Sequence, residues 1–284
     1  MRGSADLVLA IPLPNATRTE LAADLPRISS TARCPPVYSA PSTLPVQASL
    51  SQVSTRMIEI ISATRLSEAE FWGQSALGIS LRRLAHDTRL VAKVAYENRR
   101  GLPEVYNERI ETPAGQDGAQ PLLVFMHDDV WIDDVFFADR IIEGLKQFDV
   151  LGVAGNRRRA KNQPNWAYPD TRFEWDERSN ISGAVAHGKA PFGMVSYFGP
   201  VPAECELLDG VLLAARKDVL LGRAVRFDPL FNFHFYDQDF CRTARNAGLK
   251  LATWPISITH QSEGGFAASG WLENFKVYLR KWGE

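Results

Sequence analysis

The sequence predicts an α/β fold, a mostly parallel central sheet covered by helices, and three observations carry that expectation. Between residues 57 and 155, apolar strand-like runs alternate with stretches of helical spacing, the signature of strand–helix–strand units. The run "PLLVFM" (121–126) is apolar from end to end, as in a strand buried on both faces. That run stops in "HDDV", and open α/β sheets place their ligand sites at the carboxyl ends of strands. Adjacent carboxylates repel, so His127-Asp128-Asp129 calls for a metal ion, an arginine cluster or helix capping nearby.

The elements follow in order. The first 50 residues hold 7 of the 17 prolines and no Trp or Phe, too little apolar surface to offset chain entropy. They read as a Pro-rich arm or linker with one short strand at 7–11, and residues 51–284 as the catalytic domain. "MIEIISATR" (57–65) reads as a strand. "LSEAEFWGQSALGISLRRL" (66–84) reads as one helix, with Ser67 and Glu70 in capping-box spacing. "RLVAKVAYEN" (89–98) is a strand, "GLPEVYNERI" (101–110) a helix with Pro103 in its first turn, and 121–126 the central strand. "DDVFFADRIIEGLKQF" (133–148) is a helix that Asp133 or Asp134 would cap. "VLGVAG" (150–155) is the next strand. Residues 156–205 show no regular pattern, and a loop of that length in a folded domain is usually functional. "CELLDGVLLAARKDVL" (205–220) runs from strand to helix, a helix opens near Asp237 and ends at Gly248, and "LKLATWPISIT" (249–259) is a last strand, ending at His260.

Bulk properties exclude several classes. The 284 residues are 45% hydrophobic and 23% charged with a net charge of −1, which gives no general polyanion-binding surface and no nucleic-acid partner. Three cysteines (Cys34, Cys205, Cys241) without a C-x-x-C spacing argue against a disulfide scaffold or zinc ribbon. No apolar run approaches the roughly 18 residues of a membrane span, and "LVLAIPLP" breaks at proline without a cleavage site. The expectation is a cytoplasmic protein with no transmembrane segment, at most peripheral to the inner face of the membrane.

The chemistry-bearing residues fall into three groups that close apolar segments: Asp128 with Asp129, Asp237 with Asp239, and His260. An aspartate and a distant histidine can share a divalent cation, and a further carboxylate can act as general base. Trp166, Tyr168, Trp175 and Tyr197 offer flat surfaces suited to a sugar or a base. Arg157, Arg158 and Arg159 read equally as a diphosphate clamp or a solvated basic turn. Plainer readings stand beside these: caps for Asp133 and Asp134, a helix-start carboxylate for Asp239, packing histidines at His187 and His234, and either a ligand or an inward structural role for His127.

"LLVFMHDDV" resembles the metal-binding D-x-D region of GT-A-fold, family-2-like glycosyltransferases. "FYDQDFCRTARNAG", "LLDGVLLAARKDVL" and "GLPEVYN" are similar to three further segments of that family, in order, and the streptomycin-biosynthesis-protein-like branch is the nearest variety. The resemblance spans about 57 to 265. It implies a GT-A fold and an inverting transfer of a sugar from a nucleotide-diphosphate donor, a UDP-sugar favoured, to an acceptor hydroxyl on a polysaccharide, lipid-linked or small molecule. It implies Asp129 and His260 as ligands of Mn2+ or Mg2+, and Asp237 as the base. Thr64, Arg65, Asn98, Asn107 and Asp128 would lie on the donor side, and Asp209, Asp239 and Trp166 on the acceptor side. Three positions depart from the family pattern: His127 stands at the first D, Tyr236 at the acid before the base, and Glu97-Asn98 at the acid ending the second strand. The rivals are a nucleotidyltransferase, which lacks its Gly-rich loop here, and a non-catalytic nucleotide- or carbohydrate-binding module.

Overall fold

In the computed structural model, residues 57–113, 120–262 and 270–284 are described. The chain divides into two units, Met1–Ser51 and Gln52–Glu284, and all described residues belong to the second. The arm expected over 1–50 lies outside them.

Alternating apolar residues build β1 (Ile58–Ala63), and a loop then opens α1 (Glu68–Gln74) with the predicted box: Ser67 Oγ accepts from Glu70 N and Glu70 answers to Ser67 N. The single helix expected over 66–84 is two. Ser75 has an extended ψ of 148°, ends α1, and starts α2 (Ala76–Arg83) by accepting from Gly78 N at 2.9 Å while donating to Phe71 O at 2.8 Å. The corner is tight enough that a Cβ on Gly78 would lie 2.1 Å from Phe71 O, so only glycine fits. β2 (Leu90–Ala95), α3 (Leu102–Glu111) and the fully buried β3 (Leu122–Met126) follow as read.

After β3 the chain adds a strand that the pattern did not announce, β4 (Val130–Ile132), and only then α4 (Phe137–Gly144), shorter than expected. Asp134 still accepts from Phe136 N at 2.8 Å. Asp133 is no cap: it turns inward, 8% exposed, and takes Phe192 N at 3.1 Å and the Thr259 hydroxyl at 2.5 Å. "VLGVAG" splits at Val153 into β5 (Val150–Gly152) and β6 (Ala154–Asn156), which belong to different sheets. The region expected to be irregular contains β7 (Ile181–His187) and β8 (Met194–Gly199), an antiparallel pair. The remaining elements are β9 (Ala203–Cys205), β10 (Leu207–Leu208), β11 (Leu212–Arg216), α5 (Lys217–Gly222), α6 (Tyr236–Asn246), β12 (Leu251–Thr253), β13 (Ile258–His260) and α7 (Trp271–Trp282). Pro255 separates β12 from β13, where one strand was expected.

A seven-stranded sheet runs β2-β1-β3-β11-β5-β12-β9, and a second sheet runs β10-β6-β7-β13-β4 with β8 on β7. In the first, β2, β1 and β3 are parallel, whereas β11 lies antiparallel between β3 and β5. β12 is parallel to β5, so β2, β1, β3, β5 and β12 all run one way, as expected of a mostly parallel sheet, with β11 and the edge strand β9 reversed. The carboxyl ends of β1, β2 and β3 share one side, and there the second sheet brings the end of β13 alongside β4, with His260 opposite Val130. Helix α7 lays Trp271, Phe275 and Tyr278 against Phe235, with ring centroids 5.2, 5.5 and 5.3 Å away. Among the described residues no helix is long and apolar enough to cross a membrane.

Candidate active site

β3 delivers His127, Asp128 and Asp129 at its carboxyl end, and β13 delivers His260. Gln261 N donates to Asp129 O at 3.0 Å, which draws the two strand ends together. His260 Nε2 lies 3.3 Å from Asp129 Oδ1 and 3.0 Å from Ser262 Oγ. One nitrogen each of His127 and His260 and an oxygen of Asp129 all lie within 4.8 Å of one another. Burial alone would push the Asp129 carboxyl up, but the hydrogen bond and charge of His260, aided by His127, outweigh it and hold it near 2. Burial works against a charged His260 too, and Asp129 overcomes it and raises that imidazole above its ordinary value. His127 is pushed down, first by burial and then by the charge of His260, which keeps its ring neutral and able to act as a ligand. Two imidazoles and one ionised carboxylate converging at this spacing fit a divalent cation.

The second half of the site comes from α6. Phe235, at φ 68°, turns the chain so that Asp237 opens the helix beside the Asp209-Gly210 turn. Gly210 N donates to Asp237 Oδ2 at 3.0 Å and Gln238 N to Oδ1 at 2.9 Å. Asp209 accepts the Trp166 indole N–H at 2.6 Å and Val211 N at 2.8 Å. Burial, and then the neighbouring Asp209 charge, push the Asp237 carboxyl up to about 7. Among the described residues no lysine or arginine forms an ion pair with Asp129, Asp209 or Asp237.

His127, His260, Asp209 and Asp237 line one cleft of about 320 Å³. An aromatic wall faces them, with Trp166 packed edge-on to Trp175 and Trp175 stacked on Phe198 at 5.5 Å. Trp175 is 54% exposed, a flat apolar face beside polar groups, the arrangement a sugar ring stacks on.

Of the residues singled out in the sequence, the structure brings Asp129, His260, Asp237, Asp209 and Trp166 together. Thr64, Arg65, Asn98 and Asp128 sit at the neighbouring strand ends without lining this cleft; Thr64 and Asn98 are joined by their main chains, Asn98 N to Thr64 O at 2.8 Å. Asn107 is elsewhere, because its amide is taken up by the main chain of Phe227, with bonds of 2.7 and 3.0 Å. Asp239 is elsewhere too: it is fully buried beneath α7, where Lys281 Nζ at 2.6 Å and Trp282 Nε1 at 3.0 Å hold it. The three arginines hold loops: Arg157 binds Ser179 O, Arg158 pairs with Asp176 and Arg159 with Glu284. His187 and His234, read from the sequence as packing histidines, line the cleft, and so does Ser262, to which no role was given. His187 had a usable signal, since it ends an apolar run ("ISGAVAH") as His260 does.

Comparison with known proteins adds a family. The sequence profile described as "Glycosyltransferase like family" matches residues 102–267. A Drosophila beta1,4galactosyltransferase 7 catalytic domain in complex with xylobiose is similar in structure, with 10% identity, 78% of this chain and 79% of that one covered, and a TM-score of 0.45. The Pyrobaculum calidifontis mannosyltransferase PcManGT, solved with GDP-Man and Mn2+, has 13% identity, 79% and 64% coverage and a TM-score of 0.42. No curated protein matches in sequence.

Proposed function

The chain belongs to the glycosyltransferase-like family, and from that premise we propose that it moves a sugar from a nucleotide-diphosphate donor to an acceptor hydroxyl, with inversion. The observation that carries this reading is a cleft in which a carboxylate poised near neutrality shares the lining with His127 and His260, the two histidines of the His-Asp-His group.

Asp237 is the base. A carboxyl pushed up to about 7 is ionised in a substantial fraction at neutral pH and takes a proton readily. Its two oxygens are already aimed by the main-chain N–H groups of Gly210 and Gln238, so it accepts the acceptor's proton without first reorganising. Asp209 keeps the Trp166 indole in the wall against which an acceptor sugar would lie. His127, Asp129 and His260 would hold a divalent cation, and with two imidazoles the set suits Mn2+ better than Mg2+; such an ion supplies positive charge to a departing diphosphate. Thr64, Arg65, Asn98 and Asp128, at the ends of the parallel strands, are the residues for the nucleoside side, with a UDP-sugar favoured. The acceptor is a polysaccharide, a lipid-linked or a small molecule, met in the cytoplasm.

One observation favours a second reading, a nucleotide- or carbohydrate-binding module without catalysis. Both Asp237 oxygens have main-chain donors, which a purely structural brace would also show. Calorimetry with a panel of nucleoside diphosphates, with and without Mn2+, separates the cases. Manganese-dependent binding of one nucleotide, lost in Asp129→Ala, is expected. Binding of none would remove the donor reading, and unimpaired transfer by Asp237→Asn would remove the base.

A further inference from the structure

The hydroxyl of Tyr236 sits between two groups that the mechanism treats separately. It lies 2.9 Å from Gly210 O, which can only accept, and 2.9 Å from His127 Nε2. A phenol has one proton to donate. Since that proton goes to the Gly210 carbonyl, the oxygen meets His127 as an acceptor, and Nε2 must carry the ring's hydrogen. A neutral imidazole protonated at Nε2 has its lone pair at Nδ1.

We propose that Tyr236 is a positioning residue: its hydroxyl locks His127 in the Nε2–H tautomer and leaves Nδ1 as the nitrogen that binds the cation. The inference rests on the metal reading of the His127, Asp129 and His260 group. Three further features show that the arrangement is built. The Tyr236 ring is buried, 3% exposed, with the Tyr106 and Phe227 rings both 6.0 Å away. The imidazole also stacks on the Phe233 ring, with centroids 5.7 Å apart, so it packs against two aromatic neighbours. A Cβ at position 210 would lie 2.4 Å from the Tyr236 hydroxyl, so glycine is what lets the phenol reach the carbonyl.

The same peptide region serves both halves of the site. Gly210 gives its N–H to Asp237 and its carbonyl to Tyr236, the residue immediately before. The side chain at 236 therefore links the cation's first ligand to the turn that aims the base, where the family pattern has a second acid. Groups that orient a ligating histidine typically change metal affinity by about 10–100-fold when removed.

Two measurements test this without assaying transfer. Long-range 15N correlation spectra of the wild-type protein, with labelled histidine, should show His127 as the Nε2–H tautomer; the Nδ1–H form would overturn the assignment, whatever any variant does. Calorimetric titration with MnCl2 should then show Tyr236→Phe, which keeps the ring and its packing, binding about 10–100-fold more weakly than wild type. Wild-type binding with Tyr236→Phe unchanged or tighter would remove Tyr236 while leaving the metal site intact. A wild-type protein that takes no Mn2+ would remove both.

Discussion

Helix α6 has carboxylates on two sides, and they live in opposite surroundings. Beneath α7, Asp239 and Asp228 share Lys281, at 2.6 and 2.7 Å, and Glu284 is held by Arg242 at 2.9 Å and by Arg159. In the cleft, Asp237 and Asp209 stand together without a lysine or arginine partner among the described residues, and Asp129 faces His260 and His127. Only Gln238 separates Asp237 from Asp239 and burial raises both carboxyls, yet Asp239 is braced by Lys281 and Trp282 while Asp237 has main-chain donors alone. The comparison teaches how to tell a structural acid from a working one in this molecule. The anchor supplies each negative charge with a lysine or arginine, and under the proposed function the charges of the cleft are those a ligand would neutralise.

The sharpest break is at the base. Asp237→Asn should lower transfer by about 10²–10⁴-fold in initial-rate assays, with nucleotide affinity by calorimetry unchanged. The mirror experiment removes the anchor's cation. Lys281→Met leaves Asp239 buried without its partner and should lose roughly 3–5 kcal/mol in urea unfolding, and adding Asp239→Asn should recover much of it; a loss of transfer with stability intact would mean that the anchor belongs to the site.

The pH response separates the two regions further. Transfer should rise tenfold per pH unit below about 7 and level off above it, because the base must be ionised. In Asp209→Asn the midpoint should move to lower pH, since a repelling negative charge has gone. Asp237 also affects stability: its folded value of about 7 lies above an ordinary 3.8, so the stability it contributes is complete below 3.8 and lost as pH rises through 7. Asp237→Asn should flatten that slope in denaturation midpoints taken across the range. The smallest effect is reserved for a pair belonging to neither region. Arg172 and Asp170 are 74% and 40% exposed, and Arg172→Ala should leave the urea midpoint of unfolding essentially where it was, because solvent screens the pair.

The legible parts of the chain were those governed by local pattern. β1, β2, α3 and β3 declared themselves through periodicity and run length, and Asp129, His260 and Asp237 through acids or histidine closing apolar segments. What stayed hidden depends on distant partners. Asp133 looked like a cap because its role is a bond to Thr259, 126 positions away. β7 carries Gly183 at φ 109° and two alanines, and β8 exposes Met194, Val195 and Tyr197, so neither alternates as a half-buried strand should. Asn107 fitted a family segment, but its amide answers to Phe227, brought close only by folding. Tyr236 was visible as a departure from the family pattern, yet its partners, His127 and Gly210, are adjacent only in space.

The strand run from Val150 to Asn156 passes from one sheet to the other with only Val153 between them, and all seven of its residues are buried. No loop interrupts it, so a tug on the wall that carries His187 and His260 travels directly into the sheet that carries His127 and Asp129. The two walls of the cleft therefore share one buried, continuous strand run, and they are expected to move as one frame and not as a jaw. Amide protons along that run should be among the last to exchange with deuterated solvent, and the room for a substrate to enter must come from side chains and surface segments moving around a stiff frame.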